Sequence, residues 1–237
     1  MAGRGSRFKK EGYDFPKPLI QIYGKPFFYW AARSVCKFAE LASLDFVVLQ
    51  EHIDRYGIDR EILKYFPDAS IHALPDVTEG AVITCMKGVE HIEDDFPVIF
   101  NDCDHLFVSS ALNSFLREGF DPHTDGVLLT FPSDEPKFSF VGKDDQGRVV
   151  RTAEKEVISR EAICGCYYFS SKARFLAAAE QYLHSCSYSE YFMSGVYNVL
   201  LGEGAKVRSL PTDFHVTFGV PEEYELARDD SRYEALL

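Results

Sequence analysis

Apolar and polar positions change period along the chain, and the changes mark out its elements. Between 26 and 43, Trp30, Val35, Phe38 and Leu41 recur at helical spacing, while 44–50 (LDFVVLQ) is short, apolar and rich in branched residues, as a buried strand would be. The segment 59–66 reads as a helix with Asp59 near its start, and 70–74 as a strand. A helix opening at Thr78 is predicted over 78–92, followed by a strand over 96–105 that runs straight into acidic residues. A helix over 110–120 and a strand over 126–131 follow. This alternation predicts an α/β fold, Rossmann-like, with a mixed but mainly parallel sheet and helices on both faces.

The pattern then changes character. Two strand-like runs in 137–155 flank the turn Asp144-Asp145-Gln146-Gly147, which predicts a hairpin. A strand is predicted over 163–170, helices over 173–183 and 190–204, strands over 206–211 and 214–219, and a helix over 221–230 with Pro221 in its first turn. Repeats and low-complexity linkers are absent from the sequence, so 1–237 is read as one continuous domain.

Composition narrows the class. The chain is 46% hydrophobic, and at this length roughly 70% of the unfolded surface can be buried. A run of about 18 apolar residues is missing, which argues against a membrane span, and the first residues do not read as a signal peptide. Cys164 and Cys166 have neither redox nor zinc-knuckle spacing, so the six cysteines are read as buried free thiols in a reducing cytoplasm. The net charge of −12 opposes general nucleic-acid binding. Residues 1–25, however, carry Arg4, Arg7, Lys9, Lys10, Lys17 and Lys25 against Glu11 and Asp14, a local +4 that leaves −16 for the rest. Such a patch suits one compact polyanion.

Three short segments carry candidate chemistry. In Gly3-Arg4-Gly5-Ser6-Arg7, backbone amides can approach an anion without Cβ interference, and Arg7 can grip phosphate oxygens in a two-pronged way. The dinucleotide pattern GxGxxG fails at Phe8, and the Walker pattern is absent. Ten residues on, Pro16-Lys17-Pro18 holds a lysine on stiffened backbone. In Asn101-Asp102-Cys103-Asp104, two carboxylates at a strand end could hold a hard cation such as Mg²⁺. Glu154-Lys155, after the hairpin, could clamp a second phosphate. Trp30 reads as core, and His52 and His105 as ordinary loop histidines.

Together these segments resemble the signature of the sugar-phosphate nucleotidyltransferases, the nucleotide-sugar pyrophosphorylases. MAGRGSRF…PKPLIQIYGKP is similar to their glycine loop, KP and GKP; NDCDH resembles their metal-binding strand end; AEKEVISREAICGCYYFS and FGVPEEYELA resemble two later motifs, in the family order from position 1 to about 228. EYFMSGVYNVLLGEGAKV is most like the capsule and surface-polysaccharide branch. The resemblance implies a GT-A-like fold, with a nucleotide-binding half at 1–135 and an acceptor-binding half at 136–237. It implies transfer of a nucleoside monophosphate from an NTP to a sugar 1-phosphate or similar small phosphorylated acceptor, with release of pyrophosphate and with Mg²⁺ as cofactor. Nucleic acid is not an implied partner; a homo-oligomer is compatible. Ala2, Gly3, Gly5 and Ser6 would lie against the nucleotide, Arg7 and Lys17 would neutralise the triphosphate, and Thr78, Glu79 and Gly80 would lie beside the base. Asp104 would be the main Mg²⁺ ligand with Asp102 nearby. Lys155 would hold the acceptor phosphate and Glu154 would lie next to the sugar.

Two departures stand out. The family loop follows a buried first strand, whereas here Met1 opens the loop directly, so a few upstream residues are expected to be missing from the sequence. Where many members place an aspartate two residues before the glycine of the closing motif, this chain has Thr217, and Asp213 is expected to supply the second metal carboxylate. Three other readings compete. A GT-A glycosyltransferase would use Asp102 and Asp104 on a nucleotide-sugar. A cytidylyltransferase would act on a non-sugar phosphate. A catalytically degenerate domain would have a regulatory role.

Overall fold

The computed structural model describes residues 1–3, 5–37, 39–93, 95–118 and 123–236. Arg4 of the glycine loop, Phe38 of the helix predicted over 26–43, and 119–120 of the helix predicted over 110–120 lie outside them. The helices are α1 (Ser6–Lys10), α2 (Phe27–Cys36), α3 (Gln50–Tyr56), α4 (Ile58–Tyr65), α5 (Ala81–Val89), α6 (Ser110–Arg117), α7 (Lys172–Ser185), α8 (Met193–Gly202) and α9 (Pro221–Ala227). The strands are β1 (Gln21–Ile22), β2 (Lys25–Pro26), β3 (Asp45–Leu49), β4 (Ser70–Leu74), β5 (Val98–Asn101), β6 (His105–Val108), β7 (Gly126–Pro132), β8 (Ser139–Lys143), β9 (Val149–Glu154), β10 (Glu161–Phe169), β11 (Val207–Pro211) and β12 (Phe214–Thr217). Tight 3₁₀ turns cover Lys17–Leu19 and Ser231–Leu236. Among the described residues, no helix is long and apolar enough to cross a membrane.

Two compact units emerge. The first comprises Met1–Thr78, Asp102–Val108 and His215–Leu237; the second comprises Glu79–Asn101 and Ser109–Phe214. Position 135, the expected boundary between halves, lies inside the second unit.

In the first unit β3 and β4 pair in parallel, from Asp45↔Ser70 to Leu49↔Leu74. Phe28 of α2, Phe46 and Val48 of β3, and Ile58 and Ile62 of α4 are buried together. Ile58 and Ile62 sit four apart, on one helical face. The buried Ser34 hydroxyl on α2 accepts from the Phe107 amide at 2.9 Å, tying α2 to β6. Helix α3 is absent from the sequence reading because QEHIDRY buries only His52 and so carries no apolar period. The β1–β2 hairpin is two residues a side, too short for a periodic signal.

The second unit holds a six-stranded sheet ordered β11-β7-β10-β8-β9, with β5 also on β10. β11 pairs in parallel with β7. β10 runs against β5, β7 and β8, and β9 against β8. Hence β5, β7, β8 and β11 share one direction, the mainly parallel sense expected of a Rossmann-like α/β sheet. The neighbouring ladders are nevertheless mostly antiparallel, because β10 sits between strands of the common direction. α5, α7 and α8 contribute Val82, Phe175, Val196 and Tyr197 to the core against Leu128 and Phe169.

The predicted strand 96–105 is two strands. β5 ends at Asn101 and β6 begins at His105, so Asp102, Cys103 and Asp104 occupy the break between them.

Candidate active site

The cationic start of the chain and the acidic break at 102–104 meet within the first unit. Lys17 lies in its 3₁₀ turn between two prolines, with the Leu19 amide on the Pro16 carbonyl at 2.8 Å and the Ile20 amide on the Lys17 carbonyl at 3.1 Å. Fixed proline φ angles make this turn rigid. Lys17 Nζ donates to Asp104 Oδ2 at 2.6 Å, across 87 positions of sequence. The two side chains are 24% and 25% exposed, reachable from solvent but largely enclosed. Burial works against the Lys17 ammonium, yet Asp104, then Cys103 and Asp102, outweigh it and hold the amine above its usual range. Burial likewise opposes the Asp104 carboxylate, and Lys17 outweighs it, holding that group below the ordinary carboxylate value. Burial pushes the Cys103 thiol up.

Two glycines let the backbone close around this pair. Gly5 has φ 56°, and a Cβ there would stand 2.9 Å from the Lys17 Cβ, so the loop presses on the lysine stem. Gly219 faces the other partner: a Cβ on it would lie 2.6 Å from Asp104 Oδ2. The Phe218 amide donates to the Asp104 carbonyl at 3.0 Å, and the Gly219 amide donates to Glu223 Oε2 at 2.9 Å. Beneath them an aromatic cluster fixes both segments. Phe8, one residue past the exposed Arg7, packs on Phe27 and Tyr224. Phe27 packs on Phe218 at 4.5 Å. Of the other loop residues, Ala2 is buried while Gly3 and Ser6 are exposed, and Ser6 opens α1.

His105 is a strand residue, not a loop residue, and it is buried. Its Nδ1 lies 3.1 Å from His215 Nε2. Burial, then His105, holds His215 well below the ordinary imidazole value. His52 is also buried, on α3.

The second unit gathers the acceptor candidates. The Glu154 carboxylate accepts from the Ser139 hydroxyl and, at 2.8 Å, from the Ser194 hydroxyl. Lys155 takes a left-handed backbone (φ 56°), which is rare for a residue with a Cβ and concentrates at functional sites. Its amide donates to the Phe138 carbonyl at 3.0 Å, and its ammonium stands 4.5 Å over the Phe192 ring. Asn198 holds this edge in place, its side chain bonding both the Thr152 amide (2.8 Å) and carbonyl (3.0 Å). Glu79 and Gly80 are tied to the same region: the Tyr191 amide donates to the Glu79 carbonyl at 3.3 Å and the Val82 amide to the Tyr191 carbonyl at 3.1 Å. Thr78 ends a segment of the first unit.

Asp213 belongs to the second unit, whereas Asp104 belongs to the first. Asp213 Oδ2 accepts from the Ser110 amide (2.8 Å) and hydroxyl (2.6 Å) at the start of α6. Among the described residues, no group of three His, Cys, Asp or Glu side chains within metal-binding distance includes Asp104. Asp102 and Asp104 carry the hard carboxylate oxygens that Mg²⁺ prefers, and Mg²⁺ is commonly held by one or two carboxylates plus substrate phosphates.

Sequence reasoning missed Gly219, Ser139, Ser194 and Phe192. Ser194 and Asn198 lie four apart and so share a face of α8, a signal that the sequence did contain. Gly219 falls in the FGVPEEYELA motif, but its approach to a side chain 115 positions earlier in the chain is a contact that no local pattern could reveal.

No protein-family profile matches the chain. It is 26% identical over 159 residues to a 2-C-methyl-D-erythritol 4-phosphate cytidylyltransferase of Nitrosomonas eutropha, covering 65% of each chain. It is 22% identical over 241 aligned positions to the bifunctional protein GlmU of Clostridium beijerinckii, covering 95% of this chain and 49% of that one. The chain thus spans about two thirds of the first relative's length and about half of the second's. Among solved structures, a nucleoside-diphosphate-sugar pyrophosphorylase from Vibrio cholerae superposes with a TM-score of 0.84 at 23% identity, over 97% of this chain and 98% of that one. At that similarity the two chains share a fold, and the fold of this protein is that of a nucleoside-diphosphate-sugar pyrophosphorylase.

Proposed function

We propose that the protein is a nucleotidyltransferase. It would transfer a nucleoside monophosphate from an NTP to a sugar 1-phosphate or similar small phosphorylated acceptor, releasing pyrophosphate. The observation that carries this reading is the Lys17–Asp104 contact under Gly5. It joins a cation on a proline-set turn, packed against the glycine loop, to an acid at a strand end, the two groups that a triphosphate and its counter-ion need. Relatives and fold neighbours named for cytidylyl transfer and nucleotide-sugar pyrophosphorolysis support the same reaction type.

The reaction joins two anions, since an acceptor phosphate oxygen must reach the α-phosphorus. The protein's task is to cancel repulsion, orient the partners and stabilise charge on the departing pyrophosphate. Lys17 and Arg7 would neutralise the triphosphate, and the amides near Gly3 and Gly5 would lie along it. Glu79 and Gly80 would border the base. Lys155, exposed and with its ammonium over the Phe192 ring, would hold the acceptor phosphate, and Glu154, with Ser139 and Ser194, would face the acceptor's hydroxyls. The acceptor phosphate is already ionised, so no strong general base is required. Asp104, with Asp102, would hold Mg²⁺, which supplies charge neutralisation to the phosphates.

A surface-polysaccharide role fits the EYFMSGVYN segment, and an NTP-consuming enzyme with free thiols belongs in the cytoplasm. The cytidylyltransferase relative supports a second reading, with CTP as donor and a polyol phosphate as acceptor. A crossed screen of CTP, dTTP, UTP and GTP against hexose, heptose and polyol phosphates, read by pyrophosphate release, tests both. The expected result is release with one NTP–acceptor pair. Silence across the whole panel would end the enzyme reading.

A further inference from the structure

We propose that Lys17 shuts Asp104 to divalent cations until a triphosphate draws the lysine away, so that the cation binds with the nucleotide or after it, not before. This rests on the reading above, in which Lys17 meets phosphate and Asp104 meets metal.

The geometry leaves Asp104 little freedom. Its Oδ2 is 2.6 Å from Lys17 Nζ, and it lies 2.6 Å from the point where a side chain on Gly219 would begin. An ammonium thus covers one side and backbone the other. The carboxylate cannot retreat with its main chain, because the Asp104 carbonyl is bonded to the Phe218 amide. Lys17 is equally confined at its base. Its 3₁₀ turn is set by prolines and its Cβ is pressed by Gly5, so the outer methylenes are left to swing the amine.

A divalent cation approaching this carboxylate alone must displace an ammonium already in place and accept its repulsion at short range. It also finds no ready cage, since among the described residues no cluster of three ligating side chains contains Asp104. A triphosphate reverses both conditions. It offers Lys17 more negative charge than one carboxylate does, and its oxygens supply the cation's remaining ligands. One movement of the lysine amine would therefore trade an ammonium–carboxylate pair for an ammonium–phosphate pair and a carboxylate–cation contact.

Mn²⁺ binding to the full chain, followed by electron paramagnetic resonance without nucleotide, tests this. Lys17→Gln should bind Mn²⁺ at least tenfold more tightly than wild type. Lys10→Gln, which removes the same charge from an exposed position on α1, should match wild type. Lys17→Met serves as a second variant if the first fails to fold. Equal Mn²⁺ affinity in wild type and Lys17 variants would overturn the exchange, as would an equal gain in Lys10→Gln. Binding of non-hydrolysable NTP analogues to wild type is measured alongside. Analogue binding without a Lys17 effect would overturn the exchange alone, whereas failure of all four analogues, with and without Mn²⁺, would overturn the nucleotide reading beneath it.

Discussion

Gly219 offers the sharpest test of how the site is built. Replacing it with alanine adds one methyl group without backbone strain, since its φ lies outside the left-handed region. That carbon would lie 2.6 Å from Asp104 Oδ2, whereas ordinary contact begins at 3.4 Å, so the carboxylate must shift by about 0.8 Å. The carboxylate then moves relative to Lys17 Nζ, which now sits 2.6 Å away. Losing a charged hydrogen bond costs about 1.5–3 kcal/mol when enclosed. With both partners about a quarter exposed, about 1–2 kcal/mol is expected here. For a chain of this size that is a fall in Tm of about 2–8 °C. The effect on turnover should be larger, because a misplacement of about 1 Å in a positioned group can cost about 100-fold. Gly219→Ala should therefore lose 10- to 100-fold in kcat/KM for pyrophosphate release and remain folded at 25 °C. A variant within threefold of wild type would refute the claim that Gly219 holds Asp104 in place.

Other outcomes follow from single contacts. Asp213→Ala removes both bonds to Ser110 at the start of α6 and should cost about 1–2 kcal/mol in urea unfolding. Mn²⁺ affinity measured with a non-hydrolysable NTP analogue should be unchanged in that variant if the bonds to Ser110 are its role, and a large loss would make Asp213 the second metal carboxylate. At Lys155, glycine accepts φ 56° without a Cβ, so Lys155→Gly should be more stable than Lys155→Ala by about 1 kcal/mol, while both raise the acceptor KM. Equal stabilities would mean the backbone there is unstrained. His215 is held well below 6.5 by burial, so its neutral form contributes stability that is present above about pH 6.5 and lost as pH falls below that value. Wild type should lose stability between pH 7 and 5, and His215→Gln should lose less over the same interval; parallel curves would assign the acid loss elsewhere.

The sequence by itself determined the larger elements and marked out the side chains proposed to carry chemistry. The 137–155 hairpin follows from two strand-like runs around its turn residues, which need no partner to be read. That KP and NDCD belong to one site was legible only through the family resemblance, and the contact between Lys17 and Asp104 agrees with it. Other features were decided only in three dimensions. Helix α3 lacks an apolar period and is held by its neighbours, and β10 reverses the sheet through pairings made with segments distant in sequence. The break after Asn101 falls inside an unbroken apolar-to-acidic run, where composition gives no stop. Asp213 carries the same carboxylate as Asp104, yet one binds a helix start and the other a lysine 87 residues away. A carboxylate's role depends on which donors reach it, and that is fixed by the path of the folded chain.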